Sequence, residues 1–259
     1  MGEAAAIGLE NVTKRYGAGA PALDGVSLEV RPREFLAVVG ASGSGKTTLL
    51  RLINRLAEPS EGTVRVGGAD AAALDAIGLR RRIGYVFQEV GLFPHMTVAE
   101  NMAITPRLLG WDEARRAERV RELLELVRLP ADHGGRFPGQ LSGGERQRVG
   151  VARALAARPE IVLMDEPFAA LDPPTRDALG RDYRALHESL GLATVMITHD
   201  MLEALGLADR IAVLRAGAVI AHGTPRELIG HEHTYVREMM QTPRRVAERV
   251  SALLAQPDS

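Results

Sequence analysis

The chain of 259 residues contains no cysteine, which removes disulfides and thiolate metal sites and fits a reducing compartment. It also has no excess of charge: 32 Lys and Arg face 33 Asp and Glu, for a net charge of -1. Such a balance argues against a surface that coats nucleic acid. No stretch approaches the roughly 18 to 20 uncharged apolar residues that a membrane helix needs. The opening Met1, Gly2, Glu3, Ala4, Ala5 and Ala6 has no basic region followed by an apolar one, so no signal peptide is read. There is no internal repeat and no low-complexity tract. These absences give the expectation of a soluble, cytoplasmic protein, long enough to bury a core as one large domain or two small ones.

What the chain does have is one dense stretch, Gly40, Ala41, Ser42, Gly43, Ser44, Gly45, Lys46, Thr47 and Thr48, between the apolar run Phe35–Val39 and the helical pattern from Leu49 to Ile53. A short buried strand, a glycine-rich turn and a helix start in that order make a P-loop. Glycines at 40, 43 and 45 are expected to supply backbone angles closed to other residues and to turn successive N–H groups inward, giving a concave anion site at a helix N-terminus. Lys46 adds a point charge for the outer phosphates. The hydroxyl of Thr47 is placed to ligate a magnesium ion that bridges to phosphate oxygens. The stretch implies a nucleoside triphosphate site.

A second apolar run, Ile161–Met164, ends in Asp165 and Glu166. It reads as a buried strand whose C-terminal end opens at the ligand crevice of an α/β sheet. Asp165 would hold the magnesium directly or through a water, and Glu166 would polarise a water for in-line attack on the γ-phosphate.

Around these two runs the pattern alternates. Strands are expected from 7 to a close at Tyr16, and at 26 to 30, 63 to 66, 83 to 87, 161 to 164, 194 to 197, 210 to 215 and 218 to 222, the last two paired about a glycine turn. Val120, Leu123, Leu124 and Val127 fall on one face of a helix from about Trp111 to Arg128, with helical character continuing to Leu129-Pro130. Further helices are expected after Ser142, Gly143 and Gly144, from about Thr175 to Leu190, and from about Met201. This order predicts a parallel α/β core with an inserted helical subdomain at about 90–157. Beyond residue 241 a short tail, 242–259, places Val246, Val250, Leu253 and Leu254 on one helical face.

The segment Leu141, Ser142, Gly143, Gly144, Glu145, Arg146, Gln147 and Arg148 is a serine and two glycines leading into a basic helix, a second N-terminal anion site with Ser142 as hydroxyl donor. With the P-loop, Asp165-Glu166, Gln88, Ala170-Leu171-Asp172 and His199, the arrangement resembles the nucleotide-binding subunit of an ABC transporter, from about residue 7 to 240. The resemblance implies an α/β fold: a P-loop NTPase (RecA-like) core, an N-terminal antiparallel β subdomain and the inserted α-helical subdomain, together a cassette of residues 1–241. It implies ATP as substrate and Mg2+ as cofactor. Tyr16 matches the aromatic residue that stacks on adenine, and Gln88 the glutamine that touches magnesium and the attacking water while its loop contacts the membrane subunit. Asp172 matches the aspartate of the loop that crosses the dimer interface, and His199 the switch histidine at the γ-phosphate. His95, His222 and His231 match no such position and read as surface histidines. Glu145 stands where glutamine is more usual, and Ala169 where serine is frequent.

The resemblance further implies a head-to-tail homodimer of cassettes, each ATP held between one P-loop and the other subunit's Ser142–Gly144. The partners would be integral membrane permease subunits and a periplasmic or lipid-anchored solute-binding protein, with no nucleic acid. The location would be cytoplasmic, peripheral on the inner face of the membrane. Gln88 to Asn101, Leu109 to Trp111 and Ile53 to Leu56 resemble the cassettes of osmoprotectant importers, which take up glycine betaine, choline or carnitine. Phe93, Pro94 and Trp111 would also suit a groove that receives any membrane subunit. The alternatives are an importer of another small solute, such as an amino acid, and a non-transport ATPase of the same family. Related osmoprotectant cassettes often continue into a pair of regulatory domains. This chain ends about 20 residues past the cassette, so regulation by ionic strength is not expected from it.

Overall fold

The computed structural model describes residues 4–241. β1 (Ile7–Lys14) and β2 (Leu23–Val30) pair antiparallel, and β1 pairs on its other side with β4 (Glu61–Val66). With the short β5 (Ala69–Asp70) they form a four-stranded sheet of order β2-β1-β4-β5. The second sheet contains β3 (Phe35–Val39), β6 (Ile83–Val86), β7 (Ile161–Asp165), β8 (Ala193–Thr198), β9 (Arg210–Arg215) and β10 (Ala218–Gly223). Its order is β10-β9-β3-β8-β7-β6, parallel except for the antiparallel β9–β10 pair.

β3 shows why its run is apolar at every position. Phe35, Ala37 and Val39 face one core and Leu36 and Val38 the other, all fully buried. Alternate side chains leave opposite faces of a strand, so a strand covered on both sides has no polar face. Burying each large side chain contributes about 1.5 to 3 kcal/mol. The core under Leu36 and Val38 lies between the two sheets and includes Leu49 and Leu50 of α1 (Lys46–Ile53).

α2 (Ala76–Arg82) precedes β6. Between β6 and β7 come α3 (Val98–Leu108), α4 (Glu113–Leu126) and α5 (Gly143–Leu155). α6 (Pro173–Leu190) joins β7 to β8, α7 (Met201–Leu207) joins β8 to β9, and α8 (Pro225–Ile229) follows β10. Residues 234–241 are also helical. Among the described residues no helix is long and apolar enough to cross a membrane. The apolar face expected at Val246, Val250, Leu253 and Leu254 lies outside the described residues.

Several boundaries differ from the sequence reading, each for a local reason. α4 does not continue to Leu129: it ends at Leu126, and Arg128 takes a left-handed φ of 56°. α6 starts at Pro173 rather than Thr175, because Asp172 caps it by accepting the Thr175 N–H at 3.1 Å and a proline in the first turn has no N–H to satisfy. α3 is a separate helix, which the sequence pattern does not mark off within the helical subdomain. Its sign was Thr97 followed by Glu100, whose side chains cap each other's backbone N–H groups in the structure. His231 is half-buried, and its Nδ1 accepts the His233 N–H at 3.1 Å.

Candidate nucleotide site

The P-loop runs from the end of β3 to the start of α1. Its three glycines turn out to be needed for different reasons. Gly43 and Gly45 have φ of +78° and +106°, as expected. Gly40 does not have a positive φ; a Cβ there would overlap the Leu214 carbonyl oxygen of β9, so close backbone approach is what excludes a side chain. A Cβ on Gly45 would likewise overlap the Ala22 carbonyl oxygen, whereas one on Gly43 would meet nothing within 4 Å. Gly43→Ala is therefore expected to cost about 1 to 2 kcal/mol from its φ alone, and Gly45→Ala at least about 1 kcal/mol more from overpacking. Urea unfolding checks this; equal costs would show that the packing over Gly45 yields freely.

Ser42, Gly43, Gly45, Lys46, Thr47 and Thr48 line a cavity of about 520 Å³. Lys46 Nζ donates to the carbonyl oxygens of Gly40 at 2.8 Å and Ala41 at 3.1 Å. Burial holds its pKa below the ordinary lysine value, against the opposing pull of Glu166 and Asp165. Ser44 is buried under the loop, and Gly40 and Ala41 shape its backbone without lining the cavity.

The opposite wall is Gln88, Glu166 and His199, brought together by strand register. Val86 pairs with Met164, so Gln88 and Glu166 each stand two residues past paired positions of β6 and β7. Val39 pairs with Thr198, so the P-loop and His199 leave neighbouring strand ends together. Glu166 Oε2 accepts from His199 Nδ1 at 3.0 Å and from Gln88 Nε2 at 3.5 Å. The backbone of Glu166 is in the left-handed region, φ 43°, and is anchored by its N–H donating to the Ile197 carbonyl at 3.0 Å. A non-glycine residue held there costs on the order of 1 to 3 kcal/mol and needs surrounding structure to sustain it.

Ser142, Gly143, Gly144 and Asp172 do not join this cavity. They form a second cluster, in which Gly143 lies beside Leu171 and Gly144 beside Thr175. Ser142 and Gly143 are exposed. The Ser142 hydroxyl accepts the Glu145 N–H at 3.3 Å, and Glu145 Oε2 accepts the Ser142 N–H at 2.7 Å. The Ser142 N–H, then the Ser142 hydroxyl and His133, hold the Glu145 carboxyl far below its usual range, at about 2.

The ABC transporter family profile matches residues 23–169, from β2 through both glycine-rich segments to just beyond Glu166. This chain belongs to the ABC transporter family. It is 46% identical over 93% of its length to the glycine betaine/carnitine/choline transport ATP-binding protein OpuCA of Bacillus subtilis, and spans 64% of that relative. It is 40% identical over 98% of its length to the osmoprotectant import ATP-binding protein OsmV of Salmonella typhimurium, and spans 71% of it. Among solved structures, the ATP-binding cassette MJ0796, as a dimer in a post-hydrolysis state bound to ADP and Pi, superposes with a TM-score of 0.76 at 36% identity, covering 84% of this chain and 98% of that one. The chain thus spans about three-fifths of the length of the first of these relatives.

Within this ABC cassette the donors suited to magnesium are hard oxygens: the Thr47 hydroxyl, the Asp165 carboxylate and the Gln88 amide oxygen. Asp165 is raised above its ordinary pKa, first by burial and then by the neighbouring Glu166. Tyr85, which the sequence reading did not single out, donates its hydroxyl to Asp165 Oδ2 at 3.5 Å. His133 was also missed; the sign was Glu145 in place of the more usual glutamine. Tyr16 is 56% exposed beyond the end of β1, with Lys14 Nζ 4.9 Å from its ring centroid, and does not line the P-loop cavity. A second, more apolar cavity of about 460 Å³ includes Leu56, Tyr85, Phe87 and Phe93. Of the three residues expected in a groove, Phe93 lines it and Pro94 and Trp111 do not. The Trp111 ring is instead covered by the Arg115 guanidinium at 3.7 Å.

Proposed function

We propose that this chain is the ATP-binding and ATP-hydrolysing subunit of an ABC importer for quaternary ammonium osmoprotectants such as glycine betaine, choline or carnitine. The observation that carries the ATPase reading is the pair of half-sites. A P-loop cavity faces a hydrogen-bonded Gln88–Glu166–His199 set, while an exposed Ser142–Gly144 and Asp172 cluster stands outside that cavity in the same chain. A head-to-tail dimer would supply each cavity with the other subunit's cluster, and the likeness to a dimeric cassette supports it.

In this reading the P-loop N–H groups and Lys46 hold the triphosphate, and Tyr16 stacks on adenine. Glu166 takes a proton from the attacking water as general base, and His199 orients the Glu166 carboxylate by donating through Nδ1. Thr47, Asp165 and Gln88 would hold the magnesium ion, which when bound neutralises charge on the phosphate oxygens. Ser142 and the N-terminus of α5 would close on the γ-phosphate from the partner side. The groove at Phe87 and Phe93 would receive the membrane permease subunits, with the cassette peripheral on the cytoplasmic face. A periplasmic or lipid-anchored binding protein would deliver solute.

The solute class rests on the likeness to OpuCA and OsmV, since an ATPase subunit takes its substrate class from its partners rather than its fold. Reconstituted with its permease subunits and binding protein, the complex should show ATPase activity stimulated by betaine, choline or carnitine. Stimulation by methionine, taurine or sulfate alone would overturn the osmoprotectant assignment and leave the importer reading intact.

A further inference from the structure

Glu145 poses a problem for a helix N-terminus that is to meet a phosphate. The end of a helix carries roughly half a positive charge, which attracts anions. A full carboxylate in the first turn of α5 opposes that attraction at the very place where Ser142, Gly143 and Gly144 would face nucleotide. The capping role alone does not require the charge, because an amide oxygen also accepts the Ser142 N–H.

The structure contains a counterpart. His133 sits in a 3-10 turn, Ala131–Gly135, packed against α3 and α4, and is 5% exposed. Its Nε2 lies 2.9 Å from Glu145 Oε1, the carboxylate oxygen not used in the cap, and its Nδ1 lies 3.3 Å from Asp132 Oδ1. Arg136 Nη1 is also 3.1 Å from Nε2. An ionised carboxylate only accepts and a guanidinium only donates, so Nε2 cannot serve both. The shorter contact and the ionised state of Glu145 assign the Nε2 proton to Glu145. Arg136 then finds its acceptor in Asp132 Oδ2, at 2.9 Å from Nη2.

We propose that His133 is a positioning residue for the Ser142–Gly144 segment: by donating to Glu145 Oε1 it draws the carboxylate charge away from the helix N-terminus and keeps that end receptive to the partner's γ-phosphate. The inference rests on the head-to-tail ATP reading above. It makes Glu145 and His133 a coupled pair, in which the acidic side chain is tolerated because the imidazole is there.

The test uses the full chain carrying Glu166→Gln, so that bound ATP persists, and reads the ATP-dependent dimer by sedimentation. His133→Ala should raise the dimer dissociation constant roughly three- to thirtyfold. Adding Glu145→Gln to His133→Ala should recover most of that loss, since it removes the charge and keeps the acceptor for Ser142. His133→Gln, which retains a neutral donor, should stay near the parent and guards against a misfolded alanine variant. Nucleotide affinity of the separate subunits should be equal in all of them.

A His133→Ala dimer as tight as the parent would overturn the proposal, and so would a double variant no tighter than His133→Ala, because a merely structural void is not filled by Glu145→Gln. A matching loss of nucleotide affinity in the separate subunit would do the same. If the parent itself fails to dimerise with ATP, the head-to-tail reading falls first and this inference with it.

Discussion

Glu166→Gln is expected to leave ATP bound and to slow its hydrolysis by roughly 10² to 10⁴, the usual contribution of a general base. The amide is close to isosteric, so the 3.0 Å contact with His199 and the strand-end geometry should persist while the proton acceptor is lost. Lys46→Ala should behave in the opposite way. Its ammonium is buried on the P-loop and lines the cavity, so its loss should remove nucleotide binding itself. Equilibrium binding of a fluorescent ATP analogue and single-turnover hydrolysis separate the two. A Glu166→Gln subunit that turns over near the parent rate would remove Glu166 from the role of base.

The second large effect is expected across the interface. Ser142 is exposed at the N-terminus of α5, outside the P-loop cavity of its own chain. Ser142→Arg should therefore cut ATPase activity by at least about 10², the scale of losing one transition-state donor, and leave each subunit's P-loop affinity unchanged. In the parent protein the rate per subunit should fall on dilution, as dimers separate. A rate per subunit that stays constant far below the dimer dissociation constant would rule out a site shared between subunits.

The cluster around Glu145 shows where sequence reading stops. The departure from glutamine was visible at position 145, yet its partner lies 12 residues earlier in a 3-10 turn with no periodicity of its own. Only the packing of that turn on α3 and α4 brings the ring to the carboxylate. Position 40 teaches the same lesson. A glycine was expected there for its backbone angle, but the requirement comes from Leu214, a residue 174 positions away on a neighbouring strand.

The sequence by itself determined the features that depend on local spacing. These are the P-loop between a buried strand and a helix start, the apolar run ending in Asp165 and Glu166, the serine-glycine start of α5, and the alternation that makes an α/β core. Such features are legible because hydrophobic period, capping residues and turn glycines act within a few positions of one another. The tertiary structure alone decided which of these features meet. Parallel pairing of β6 with β7, of β7 with β8 and of β3 with β8 gathers Gln88, Glu166, His199 and the P-loop at the C-terminal ends of the strands. The same fold leaves Ser142 and Asp172 in a separate, outward-facing cluster. Strand register and close backbone approach are set by contacts between residues distant in the chain, and no local pattern encodes the distance between two strand ends.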